Sequence, residues 1–221
     1  MQIEHCEFPD GLLYDLENNV WVESTGGTRA KLGITSVHAA LAGRISSIKF
    51  KPTGTNLKRN QALATLESIR YFGVVRTPID CSLVSVNSRL VNEPKLANDS
   101  PYQLGWFAEI AWNQGDESLA SLVRPKESEE KIREQIRNLR VRCFSAYPDH
   151  EMWEIGVECA AVLVRLNDLL DRCEANTVVH VVSDDPTADI EMERWKDQTR
   201  QEVVESRKEG NLMHFIVRKV R

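Results

Sequence analysis

Long apolar runs are absent from this 221-residue chain: uninterrupted stretches are short, as at 160–164. A bilayer-spanning helix needs roughly 18–20 apolar residues, so no membrane span is expected. A basic excess is missing as well. Residues 1–112 carry 11 basic and 11 acidic side chains, and 113–150 carry 7 and 7. Residues 151–221 carry 10 and 15, so the whole net charge of −5 falls in the last third. Phosphate backbones are held by clustered Lys and Arg, so nucleic acid is not an expected partner. No CxxC pair occurs among Cys6, Cys81, Cys143, Cys159 and Cys173, and His5, His38, His150, His180 and His214 are scattered. Metal sites need clustered ligands, so no metal is expected. A disulfide framework is not expected either, and any cysteine chemistry should come from one thiol acting alone. There is no GxSxG and no glycine-rich phosphate loop, and Ser36 and His38 lie too close on one short helix to form a triad. A classical hydrolase or oxidoreductase is therefore not expected. Residues 1–7 are polar and acidic with no apolar core, so the expected compartment is the cytoplasm rather than the secretory route.

What is present is ordinary globular material, 42% hydrophobic and 28% charged, long enough for one large domain or two small ones. Residues 1–112 read as short strands punctuated by Gly and Pro, at 20–22, 45–50, 62–66, 74–75 and 82–86. A small helix at 36–41 has Thr35 or Ser36 as its N-cap. Residues 118–140 are highly charged, with Ile132, Ile136 and Leu139 on one helical face and Pro125 as a breaker. This segment either caps the first domain or holds two domains apart. Beyond it, 153–157 reads as a strand, 160–173 as a helix, 177–182 as a Val-rich strand, 188–199 as a second helix and 202–217 as a hairpin. The Asp184-Asp185 pair reads as a turn with an N-capping aspartate rather than as metal ligands. Trp106 and Trp112 read as core.

Three blocks of the first half resemble the H protein of the glycine cleavage system, a lipoyl carrier. They are Leu32-Gly-Ile-Thr-Ser-Val-His-Ala-Ala-Leu-Ala-Gly43, the run from Pro52 to Ala64-Thr-Leu-Glu-Ser68, and Asn98-Asp-Ser-Pro-Tyr-Gln-Leu-Gly-Trp-Phe-Ala-Glu-Ile110. The resemblance implies a barrel-sandwich hybrid over 1–112 with a hairpin that presents a lysine. That family's tip reads Glu-Ser-apolar-Lys, whereas this chain has Glu67-Ser68-Ile69-Arg70 and no lysine between Lys58 and Lys95. A guanidinium is no nucleophilic amine, so no lipoyl group is expected at Arg70. Arg70 with Tyr71 and Phe72 is either a fixed recognition tip for a larger enzyme or the solvated turn of a decayed carrier.

The last third resembles the small TusA-like (SirA-like) sulfur carriers in the order of its elements, in Gly156-Val-Glu-Cys159, in Ser183-Asp-Asp-Pro186 and in the closing Phe215-Ile-Val-Arg-Lys219. The resemblance implies a two-layer α/β sandwich, βαβαββ, over 150–221. It also implies a persulfide-bearing cysteine where the first helix begins. Cys159 stands there, and free N–H groups at a helix start favour a thiolate. The family's Cys-Pro-x-Pro is here Cys159-Ala160-Ala161-Val162, and Glu158 adds an opposing negative charge. The expected whole is α+β, with 113–149 as a charged helical linker. Two functions follow. One is a sulfur carrier with catalytic Cys159, a transient persulfide, a sulfur donor or acceptor protein as partner and a non-lipoylated docking domain. The other is a non-catalytic adaptor that binds a partner and carries nothing. A true lipoylated H protein is a third and weaker possibility.

Overall fold

Apolar residues at alternating positions, broken by Gly, Pro and Asn, give many short strands. The computed structural model describes residues 1–113 and 119–221. It divides into Met1–Cys143 and Phe144–Arg221, and the whole is a mixed fold of helices and several sheets.

In the first unit six antiparallel strands lie in the order Leu13–Asp15, Val20–Gly26, Arg29–Ile34, Ala108–Ala111, Cys81–Val86, Asn56–Leu57. A second sheet pairs Ile45–Phe50, Ala62–Ser68 and Phe72–Arg76. One apolar core joins both sheets: Val22, Leu32, Ile34 and Ile110 from the first meet Ile48, Leu63, Leu66 and Val75 from the second. Alternation sends the neighbouring side chains to the other face of the six-stranded sheet. There Tyr14 and Trp21 pack with Ile3, Phe8, Ile132 and Ile136. Trp21 faces Gly33 across the strand pair, and a Cβ on Gly33 would fall 2.5 Å from the indole ring. Only glycine leaves that space.

The charged segment after 118 supplies the cover for this face. Pro125–Glu127 forms a 3₁₀ turn and Glu129–Leu139 an α-helix, as a proline followed by an amphipathic run predicts. Glu129 and Glu130 open the helix and Arg137 closes it, which suits the helix dipole. Ile132 and Ile136 are buried while Leu139 is exposed. On its other side Arg133 and Arg137 both bond Glu4, at 3.0 and 2.8 Å. The bonds to Arg133 and Arg137 hold the Glu4 carboxyl below its usual range, against a smaller cost of burial. Residues 113–149, expected as a connector, are thus divided between the two units at 143, and 114–118 lie outside the described residues.

The cysteine expectation fails here. Cys6 and Cys143 form a disulfide with Cα atoms 5.0 Å apart. A separation of 137 residues leaves no local spacing to read. The pair meets only because the helix Glu129–Leu139 brings the chain back to the N-terminal hairpin of Gln2–Ile3 and Cys6–Glu7. Cys81, Cys159 and Cys173 are free thiols.

The second unit follows the order β-α-β-α-β-β read from the sequence. Its sheet runs His150–Glu154, Val178–Ser183, Leu212–Arg218, Glu202–Glu209. The first pair is parallel and the others antiparallel. Helices Cys159–Leu170 and Ala188–Thr199 cover one face, with Val162, Leu166, Met192 and Trp195 on Val179, Val181, Phe215 and Val217. Among the described residues no helix is long and apolar enough to cross a membrane.

Candidate functional site

The hairpin of Ala62–Ser68 and Phe72–Arg76 turns through Ile69 and Arg70, closed by the Ser68 N–H donating to Tyr71 O at 2.8 Å. The short helix Ser36–Ala42 lies beneath it, started by Thr35, whose hydroxyl accepts from His38 N. The last carbonyls of a helix lack internal partners. Here the Ser68 hydroxyl donates to Ala42 O at 2.7 Å. The Arg70 side chain lies over Gly43, its Nε 3.4 Å from where a Cβ would stand. That puts a cation at the negative end of the helix dipole. Tyr71 folds inward, its hydroxyl 3.3 Å from His38 Nε2. Burial pushes the Tyr71 phenol up. Burial also pulls His38 down to about 4, opposed by the backbones of Asn19 and Asn18. Both groups are therefore uncharged at neutral pH.

Ile69 and Phe72 point the other way. Ile69 is fully exposed and Phe72 is 72% exposed. Of the tip residues singled out by sequence, Tyr71 turns inward, Phe72 lies outward beside Ile69, and Arg70 is exposed with its side chain over Gly43. Sequence reasoning missed His38 as an anchor. The signal was only that it sits two residues into a capped helix. The turn itself carries no amine: its residues are Ile69 and Arg70, and a guanidinium is not a nucleophilic nitrogen.

Cys159 opens the helix Cys159–Leu170, where the sequence places it, but its sulfur faces the core with Val162, Leu166, Val181 and Phe215, and the residue is 3% exposed. Its own N–H donates to Asp185 Oδ2 at 2.7 Å. Asp185 Oδ1 accepts from Thr187 N and Oγ1, both at 2.7 Å. Asp184 instead accepts from Gly156 N at 2.7 Å. The expected N-capping aspartate is corrected in position only: Asp185 accepts from the Thr187 N–H two residues on, before the helix proper. Thr187 is the N-cap of Ala188–Thr199, and Asp185 reaches across to the other helix. Glu158, the N-cap of Cys159–Leu170, makes no side-chain cap bond, and the Asp185 carboxylate takes that place. Burial, then the charges of Asp185 and Glu191, push the Cys159 thiol up to about 11.

The thiolate is the reactive form. An ordinary thiol near 8.5 is about one-tenth ionised at pH 7.5, whereas one near 11 is ionised about 300-fold less. Cys159 should accordingly react with iodoacetamide at least ~100-fold more slowly than a model thiol at pH 7.5. Its rate should climb about tenfold per pH unit until the pH approaches 11. Site-resolved mass spectrometry of alkylation between pH 7 and 10 reads this. A fast, pH-flat reaction would refute the buried thiol.

Residues 12–135 match the family model described as "Glycine cleavage H-protein", and that stretch runs past 112 into the helix Glu129–Leu139. The chain is 34% identical over 138 residues to "Glycine cleavage system H protein 2" of Aquifex aeolicus, covering 62% of this chain and 86% of the relative. It is 33% identical over 141 residues to the "Probable glycine cleavage system H protein 2" of Sulfolobus acidocaldarius, covering 63% and 94%. Among solved structures, a glycine cleavage system H protein from Mycobacterium marinum aligns over 56% of this chain and 98% of its own, at 20% identity and a TM-score of 0.47.

Proposed function

The chain belongs to the glycine cleavage H-protein family, and from that premise we propose that its first unit is a non-lipoylated docking module of that family, used as an adaptor. The observation that carries the proposal is the hairpin tip. Arg70 stands at the turn in place of an amine, and the turn is pinned by Ser68 and Tyr71 while Ile69 and Phe72 are held outward. Apolar and aromatic side chains on a rigid turn bind at low entropic cost. The two sheets around one core support the barrel-sandwich reading. The partner would be a larger enzyme that receives the tip. Disulfides persist chiefly in oxidising compartments, so the Cys6–Cys143 bridge weighs against the cytoplasm expected from the sequence.

Exposure to a lipoyl-attaching enzyme, ATP and lipoate provides the test. The wild-type intact mass should stay unchanged, and Arg70→Lys should gain one lipoyl group. A wild-type chain that gains a lipoyl mass would sink the proposal. In the same preparation, Phe72→Asp should weaken partner binding at least tenfold if the tip is a hot spot, since such residues are worth about 2 kcal/mol or more.

A sulfur-carrier role for the second unit is supported by one feature, the place of Cys159 at the start of its helix. In it the Cys159 thiolate would take a sulfur atom from a donor persulfide, and the donor would leave as a thiolate. Burial of the thiol and the Asp185 carboxylate weigh against it, which is why the adaptor reading is preferred. Persulfide trapping on Cys159 after incubation with a cysteine desulfurase and cysteine separates the two.

A further inference from the structure

The four-stranded sheet of the second unit has two edges, and the sequence treats them differently. A strand edge is a row of backbone donors and acceptors that invites another strand, so edges are usually blunted by charge, bulges or proline. Glu202–Glu209 is blunted: five of its eight residues are charged, and its register slips between Val203 and Glu205. His150–Glu154, at the opposite edge, is not. It has one neighbour in the sheet among the described residues, Val178–Ser183. It pairs with that neighbour in unbroken register over all five residues, and it contains no Lys, Arg or Pro. The apolar surface beside it is open as well: Trp153 and Ile155 are half exposed, and Val164 more so. Val164 lies on the helix that follows, where the next residue, Arg165, bonds Glu154 of the edge strand. Ala161, Val164, Arg165 and Asp168 are three and four residues apart, so they form one stripe of that helix beside the edge. All four are exposed.

We propose that this edge is a homodimer interface, in which His150–Glu154 pairs antiparallel with the same strand of a second copy about a two-fold axis at Met152. A second copy is singled out because the strand is complementary to itself. With Met152 on the axis all five residues are paired. His150 stands opposite Glu154 of the other copy, at both ends of the pairing, and an imidazole N–H there meets a carboxylate. Trp153 stands opposite Glu151. Its indole N–H already donates to Glu151 of its own strand at 3.4 Å, so the two side chains are chemically matched. The two Trp153 rings become diagonal neighbours, about 7–8 Å apart between Cα atoms and within reach of each other.

Neighbouring registers are poorer. An axis at Glu151 sets two carboxylates face to face, and one at Trp153 leaves His150 beyond the pairing and sets Glu154 against Met152. A two-fold axis perpendicular to the sheet also keeps the helices of both copies on one face. The two exposed stripes then approach each other. Ala161 and Val164 supply small apolar surface, and Arg165 and Asp168 supply opposite charges. The interface uses nothing from the hairpin tip of the first unit, so it stands or falls independently of the adaptor reading.

Sedimentation equilibrium of the full chain and directed cross-linking test the interface. The weight-average mass should rise with concentration from one chain to two and stop there. Val164→Glu, at an exposed position, should keep the circular dichroism and weaken association at least tenfold. Directly opposite Cα atoms in an antiparallel pair are about 4.5–5.5 Å apart, a span that a disulfide bridges. A Cys173→Ser background removes the native free thiol that is not buried. In it the double variant His150→Cys/Glu154→Cys should oxidise to a covalent dimer. Each single variant should not, because its two thiols lie four residues apart along the paired strands, roughly 13 Å. A one-chain mass at every concentration overturns the proposal and leaves the edge to a strand of another protein. Undiminished association of Val164→Glu, a double variant that does not cross-link, or single variants that cross-link as readily as the double also overturn it.

Discussion

Cys6→Ser should lower the stability of the first unit by about 3–5 kcal/mol, read as an earlier unfolding transition in denaturant. The bridge closes a loop of sequence separation 137. Removing it returns roughly 5 kcal/mol of chain entropy to the unfolded state in the simple loop model, with measured values often smaller. The folded side loses too. Cys6 is fully buried among Ile3, Phe8, Ile132 and Ile136, so a hydroxyl there enters apolar surroundings. Wild-type protein unfolded in excess reductant should approach the variant. Identical transitions with and without reductant would show that the thiols are not joined.

Gly33→Ala should cost about 2–4 kcal/mol, more than an overpacked core methyl usually does. The added carbon would sit 2.5 Å from Trp21 Cε2 and Cζ2. The indole cannot move aside cheaply, because its N–H donates to Pro101 O at 3.0 Å and it lies against Tyr102. Either the bond breaks or the strand pair spreads. A double variant with Trp21→Phe should lose less than the sum of the single changes, because the two share one space. Additive losses would place the cost elsewhere.

Local pattern foretold most of the second unit. The helix Ala188–Thr199 and the hairpin of Glu202–Glu209 and Leu212–Arg218 lie where periodicity and the Gly210-Asn211 turn put them. Thr35 capped its helix as expected. The first strand of the second unit, read at 153–157, runs instead over His150–Glu154; the other failures involve partners distant in sequence. Cys6 and Cys143 carry no spacing signature. Asp185 looked like a local cap, and it does hold the Thr187 N–H, but its other oxygen serves a helix 26 residues earlier. Cys159 holds its predicted place in the chain, but its burial depends on Val181, Met192 and Phe215 from three other elements. His180 and His214 alternate like residues of a solvated face, yet both are buried, with Phe144 and Trp153 against them. On the hairpin the absence of lysine was legible residue by residue. Which tip side chains turn inward was not, since that is decided by the helix beneath.

The pinned turn also bears on what kind of traffic such a protein can take part in. A long flexible arm is a courier: from one docking position it visits several reaction centres, and its freedom of motion is its reach. A turn tied to the helix end by Ser68 and to His38 by Tyr71 has no reach. On the adaptor reading, a partner would come to it in one orientation and occupy it alone. Stoichiometry and pose, rather than delivery, are then what the exposed Ile69 and Phe72 would govern.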